Sequence, residues 1–233
     1  MRYGMVIDLD RCIGCQTCMV SCHMHNSQPP GIWWNRVFTQ GGETHQDTVI
    51  DSKDEYRMDY LPVSCQMCDK PSCQSVCPTG ATYTDENGVV LVDYKRCIGC
   101  RLCMTACPYS VRQFNWQDAK KAKKEFGYEY GYPFDVNDGK NDKKLVYTRH
   151  RRLGVAEKCT FCIQYISDNK QPICVQACSA KARFFGDLDA TNSDVSKLVK
   201  SKKFSRRLLE DKGTKPKVYY VSSKETAIKE GKG

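Results

Sequence analysis

Cysteine is the residue whose spacing carries chemistry in this chain. From Asp93 to Ser110 the chain reads D-Y-K-R-C-I-G-C-R-L-C-M-T-A-C-P-Y-S, placing Cys97, Cys100, Cys103 and Cys107 in a C-x2-C-x2-C-x3-C run followed by proline. That spacing wraps a cubane iron–sulfur cluster. Three thiolates so close together cap three corners of one cube, whereas a single tetrahedral zinc ion has no need of three consecutive C-x2 steps. The fourth cysteine of such a run reaches over to a second cluster, so one copy implies another nearby.

The copies are present. The step of 85 residues from Cys12 to Cys97 also carries Cys15, Cys18 and Cys22 onto Cys100, Cys103 and Cys107, and the flanks M-V-I-D-L-D-R-C-I-G-C and V-L-V-D-Y-K-R-C-I-G-C match. A looser pair relates Cys65, Cys68, Cys73 and Cys77 to Cys159, Cys162, Cys174 and Cys178, with the middle gap widened. Pro71 and Pro172 each stand two residues before the third cysteine. All 16 cysteines are thereby used, four to a motif, a pattern that neither a disulfide scaffold nor scattered zinc knuckles produces.

The elements that must position these motifs are short. Residues 3–8 read as a strand leading into the first motif, and T-G-A-T-Y-T-D-E-N-G-V-V-L-V-D-Y between the second and third reads as strand, turn at Asp85–Gly88, strand. That is the hairpin expected within a two-cluster ferredoxin, so residues 61–115 form an inner ferredoxin-like unit. By analogy residues 180–187 form a strand whose partner is residues 3–8, and residues 1–22 with 153–190 form an outer unit. The expected fold is α+β: two pseudo-symmetric ferredoxin-like units, each holding two [4Fe–4S] clusters, with long loop insertions at 23–60 and 116–152. The basic extension 191–233 is expected to carry a helix near 195–210 and to wrap a surface or a partner. The Lys-rich run A-K-K-A-K-K-E-F at 119–126 reads as a solvated helix face. His23 and His25 read as packing or surface residues, since four cysteines are available to every cluster. Trp33 and Trp34, after P-P-G, suit either internal packing or docking on a partner.

Charge and composition limit the function. Of 233 residues 40% are apolar, a figure that counts the cysteines, so metal clusters must supply much of the cross-linking and the apo chain should fold poorly. The formal charge of +9 invites a nucleic-acid reading. Four clusters bring about −8, since each oxidised core with four thiolates carries about −2, and the sum falls to about +1. No nucleic-acid partner is expected. The N-terminus lacks the apolar run of a signal peptide, and no stretch approaches the roughly 20 apolar residues of a membrane span.

R-C-I-G-C-R-L-C-M-T-A-C-P-Y, G-V-A-E-K-C-T-F-C and P-I-C-V-Q-A-C resemble the four-cluster iron–sulfur subunits of the dimethyl-sulfoxide-reductase superfamily of molybdenum enzymes. The resemblance covers 3–22, 61–115 and 153–188, about half of the chain. The G-I-W-W-N-R-V segment and the 116–152 insertion look most like the small subunit of respiratory arsenate reductase, with polysulfide, tetrathionate and dimethyl sulfoxide reductases as alternatives. His23 and Ser179 depart from the proline that follows the fourth cysteine elsewhere, which bears on local cluster potential.

The resemblance implies a non-catalytic electron-transfer subunit. Four [4Fe–4S] clusters would pass single electrons between an external donor, such as a membrane-anchored multihaem cytochrome or a quinol-oxidising subunit, and a large molybdopterin catalytic subunit. It also implies a periplasmic location, reached by co-export with a signal-bearing partner, the cytoplasm being the alternative. No residue reads as a nucleophile or general acid. From the scaling of compact chains the molecule is roughly 45 Å across, so four clusters in a line lie on the order of 10 Å apart. The two-unit reading sets the ligand exchange: Cys65, Cys68 and Cys73 with Cys107; Cys97, Cys100 and Cys103 with Cys77; Cys12, Cys15 and Cys18 with Cys178; and Cys159, Cys162 and Cys174 with Cys22. Relatives place the Cys12 cluster beside the catalytic subunit and the Cys97 cluster at the far end. The rival of another class is a free-standing polyferredoxin, against which the insertions and tail argue.

Overall fold

The computed structural model describes residues 1–39, 50–52, 55–57, 59–116, 136–137, 145–147, 152–201 and 204–223. The 119–126 run lies outside them. The strand Tyr3–Asp8 buries five of its six residues and is central. It pairs antiparallel with Arg183–Asp187, Tyr3 opposite Asp187, so the strand expected at 180–187 begins three residues late but finds the expected partner. The hairpin also forms, Thr82–Thr84 against Val90–Val92, with Asp85 closing its turn by accepting from the backbone N–H of Asn87 (2.9 Å) and Val89 (2.6 Å).

The two matched flanks build matched turns. Asp8 and Asp93, the aspartates of the repeated flank, are both buried, and each accepts from the backbone two residues on, at Asp10 and Lys95. Their own N–H groups donate to Ala182 O (2.8 Å) and Ala81 O (2.7 Å), each carbonyl lying four residues past the last cysteine of its motif. The chain is thus turned into the two C-I-G-C loops by the same device.

The tail departs from expectation. Its helix is Asp194–Ser201, shorter than 195–210, and the described residues after it return to the main sheet. Val218–Ser222 enters the main sheet parallel to Tyr3–Asp8, Met5 opposite Val218, and Phe204–Arg206 adds the outer strand. The Lys-rich composition conceals K-V-Y-Y-V-S, whose apolar side chains fill the core: Val218, Tyr220 and Val221 are buried. Tyr220 donates to Pro62 O (2.8 Å) and accepts from Gln66 Nε2 (3.3 Å), while buried Lys217 reaches Gly88 O in the hairpin turn. The tail therefore ties the sheet to the hairpin.

The 23–60 insertion also contributes structure, since Asn35–Thr39 pairs with Tyr60–Ser64. Trp34 is buried in the core, which favours packing over docking, and His23 lies against Trp33 at 4.3 Å between ring centroids. One apolar cluster runs from Met5 and Ile7 through Trp34, Phe161 and Tyr220 to Met67 and Leu91, so both sets of strands share a core.

Candidate metal centres

Every cysteine lines one of four recesses, four to each. Cys12, Cys15, Cys18 and Cys178 surround the first, and Cys22, Cys159, Cys162 and Cys174 the second. Cys65, Cys68, Cys73 and Cys107 surround the third, and Cys77, Cys97, Cys100 and Cys103 the fourth. These groupings have the same membership as the ligand exchange set out above. No carboxylate or imidazole lines any of them, and among the described residues no three His, Cys, Asp or Glu side chains gather tightly enough to grip a single ion. Four thiols around each recess, not drawn together on a single ion, fit a cubane with one iron at each corner.

The C-I-G-C loop explains how three near neighbours converge. Gly14 and Gly99 sit at φ +68° and +72°, followed by Gln16 and Arg101, also left-handed. The chain curls so that helices Thr17–His25 and Leu102–Thr105 begin at once and return Cys18 and Cys103 to the recess. Glycine is required on space as well as conformation: a Cβ at Gly99 would stand 2.2 Å from Gly154 O, and one at Gly14 2.2 Å from the Tyr60 ring. Backbone N–H groups are aimed at the sulfurs, from Thr82 to Cys77 (3.5 Å), Ala182 to Cys178 (3.3 Å) and Phe161 to Cys159 (3.4 Å). Such donors stabilise thiolate over thiol.

Burial grades the thiols. It pushes Cys22 and Cys162 well up, Cys159 up to about 12 and Cys68 up to about 11, whereas the Thr17 hydroxyl, donating at 3.4 Å, lowers exposed Cys15. The thiols of Cys22, Cys159 and Cys162 hold their protons until metal displaces them. Shared neighbours give the order of the quartets. Asn35 donates to Cys18 O and lines the second recess, Lys158, next to Cys159, lines the third, and Arg112 lines both the third and the fourth. The two ends open outward: Cys15 and Cys100 are exposed, and beside them stand Ile13 and Ile98, 62% and 67% exposed.

Three buried cations accompany the cysteines and were not legible beforehand. Arg112 lines the third and fourth recesses and donates to Cys73 Sγ (3.1 Å), Lys158 lines the third, and Arg183 the first. Arg112 and Arg183 each stand five residues past the last cysteine of their motif, a coincidence of position that could have marked them. His23 and His25 line no recess, and His25 packs on Tyr165 at 4.5 Å.

Comparison with known proteins agrees with this chemistry. Two family profiles, each a 4Fe–4S dicluster domain, match residues 56–129 with 144–188 and residues 11–81. The chain is 43% identical over 227 residues to a Halobacterium salinarum protein assigned as the iron–sulfur subunit of a dimethyl sulfoxide reductase, covering 95% of this chain and 79% of that one. It is 36% identical to a selenate reductase subunit of Mesobacillus selenatarsenatis, covering 95% and 72%. It is 35% identical to the arsenate respiratory reductase iron–sulfur subunit of Shewanella sp. strain ANA-3, covering 96% and 97%.

Proposed function

The chain belongs to the iron–sulfur subunits of the molybdoenzyme reductases of the dimethyl-sulfoxide-reductase superfamily, and from that premise we propose that it binds four [4Fe–4S] clusters and passes single electrons through them. The observation that carries this reading is the grouping of sixteen cysteines into four all-thiol recesses in a chain of nearest neighbours. When bound, the clusters supply reversible one-electron chemistry. The protein's part is to hold each thiolate set, aim N–H donors at the sulfurs and bury Cys22, Cys162 and Cys174 of the second set. It is a non-catalytic subunit: conversion of the substrate belongs to the partner.

The fold is read as two pseudo-symmetric ferredoxin-like units, an inner one over 61–115 and an outer one from 1–22 with 153–190. The paired turns at Asp8 and Asp93 support this. The catalytic partner is a large molybdopterin subunit docking at the Cys12 end, and the external donor, a cytochrome or quinol-oxidising subunit, meets the Cys100 end. Exposure of Cys15 and Cys100 at opposite ends of the series supports the two contacts. The reductase is assigned to arsenate, supported by a match reaching across 97% of the Shewanella protein. Dimethyl sulfoxide is the second reading, favoured by the 43% identity to the Halobacterium protein. Work in the periplasm after co-export with the partner completes the reading; no helix among the described residues is long and apolar enough to cross a membrane.

Anaerobic purification of the native complex tests the proposal. About 16 irons per small subunit are expected, four for each cubane, together with a molybdopterin chain in the same size-exclusion peak. Iron near 12 with a strong three-iron signal would remove the four-cubane reading. A lone small species would turn the assignment to a free polyferredoxin.

A further inference from the structure

Each gap between neighbouring quartets holds one buried cation. Between the first and second stands Arg183, 4% exposed, whose guanidinium is acted on by Cys174 on one side and by Cys18 and Cys12 on the other. Between the second and third stands Lys158, 1% exposed, whose Nζ donates to Cys159 O (2.8 Å) and Val90 O while its side chain lines the third recess. Between the third and fourth stands Arg112, 3% exposed, lining both recesses and acted on by Cys73, Cys103 and Cys65.

These side chains are not held as ordinary ion pairs. Arg183 donates to Asn35 Oδ1 (3.0 Å) and lies 3.6 Å from Met5 Sδ; Lys158 donates to carbonyl oxygens and approaches Met67 Sδ at 3.7 Å. Arg112 gives Nη2 to Cys73 Sγ, and its Nε and Nη1 are buried with no hydrogen-bond partner among the described residues. A cation taken out of water costs several kcal/mol unless a negative group faces it. The negative groups that face these three are the thiolate sets on either side.

We infer that Arg183, Lys158 and Arg112 are fixed counter-charges in the three gaps, and that each raises the reduction potential of both clusters it faces. This rests on the four-cluster reading. An oxidised set carries about −2 and gains one more negative charge on reduction, which burial and a negative neighbour both oppose. A cation in the gap offsets both effects, and it acts on the cluster on either side. One electron leaves one cluster as it arrives at the next; no bond changes, and at Arg183 and Arg112 no proton moves, because the guanidinium stays charged throughout.

The test is a potentiometric titration of the holo-complex followed by EPR, with iron content measured on the same samples. In Arg112→Gln the clusters of the Cys65 and Cys77 sets should each lose at least tenfold in their reduction equilibrium, about 59 mV for one electron, while the Cys12 cluster stays in place. Arg112→Lys should restore most of the shift. Lys158→Met should move the Cys22 and Cys65 sets instead, and it serves as the deciding variant if Arg112→Gln loses iron. Full iron with unmoved potentials in either variant overturns the inference. Loss of iron in Arg112→Lys as well as Arg112→Gln also overturns it, since shape and not charge would then be what the site needs. Failure of the four-cluster reading is seen separately, in the iron and EPR of the unsubstituted complex.

Discussion

Gly99 is where a single atom decides whether a cluster can be held. Its φ of +72° already disfavours a side chain, and Gly154 O stands 2.2 Å from where a Cβ would be. Gly31 has a φ of +80° with nothing near that position, so Gly31→Ala carries the conformational penalty alone, about 1 kcal/mol. Gly99→Ala is expected to cost more and to lose the cluster of Cys77, Cys97, Cys100 and Cys103. Comparing iron content and thermal midpoint for the two variants measures the difference, and equal behaviour would mean that Gly154 yields freely. At this scale the grouping of the cysteines into four quartets was legible, because their spacing is written in the chain. Arg112, Lys158 and Arg183 were not, because a cation takes its meaning from what surrounds it, and a lone Arg or Lys in a basic chain reads as surface.

Among the elements, Val218–Ser222 holds more of the fold than its composition announces. Full burial of Val218, Tyr220 and Val221 removes enough apolar surface to contribute on the order of 5 kcal/mol, comparable with the whole stability of a small domain. A chain ending at Gly213 should therefore fail to retain its iron, and protease digestion should cut it where the full chain resists. Tyr220→Phe removes the donor to Pro62 O and the acceptor for Gln66, and should lower stability by about 1 to 2 kcal/mol with iron retained. A truncated chain that kept its full iron would return the tail to the status of an appendage. The hairpin was readable because its partners lie within a dozen residues and its turn has Asp85 and Gly88 at the required places. The tail strand was not: it pairs in parallel with a strand more than two hundred residues away, and no local periodicity records such a partner.

Across the whole molecule, the arrangement is a series with two accessible ends and a second quartet that is mostly buried. Cys15 and Cys100 reach the surface, whereas Cys22, Cys162 and Cys174 do not. One apolar core holds cysteines of the first three quartets, and Cys97 of the fourth packs beside Val92, Tyr94 and Val155. In a series, damage at one end blocks only the traffic that crosses it. Cys100→Ser, at the end assigned to the donor, should abolish or strongly slow turnover driven by the physiological donor while an artificial donor acting nearer the catalytic chain still supports it. Cys15→Ser, at the end assigned to the catalytic subunit, should abolish turnover from every donor that enters through this chain. Steady-state rates with the two donor classes, on variants whose remaining clusters are counted by EPR, separate the cases. The opposite pattern would reverse the direction of the series, and perturbation of the Cys159 cluster by Cys178→Ser, with the Cys12 cluster untouched, would break the ligand exchange on which the series depends.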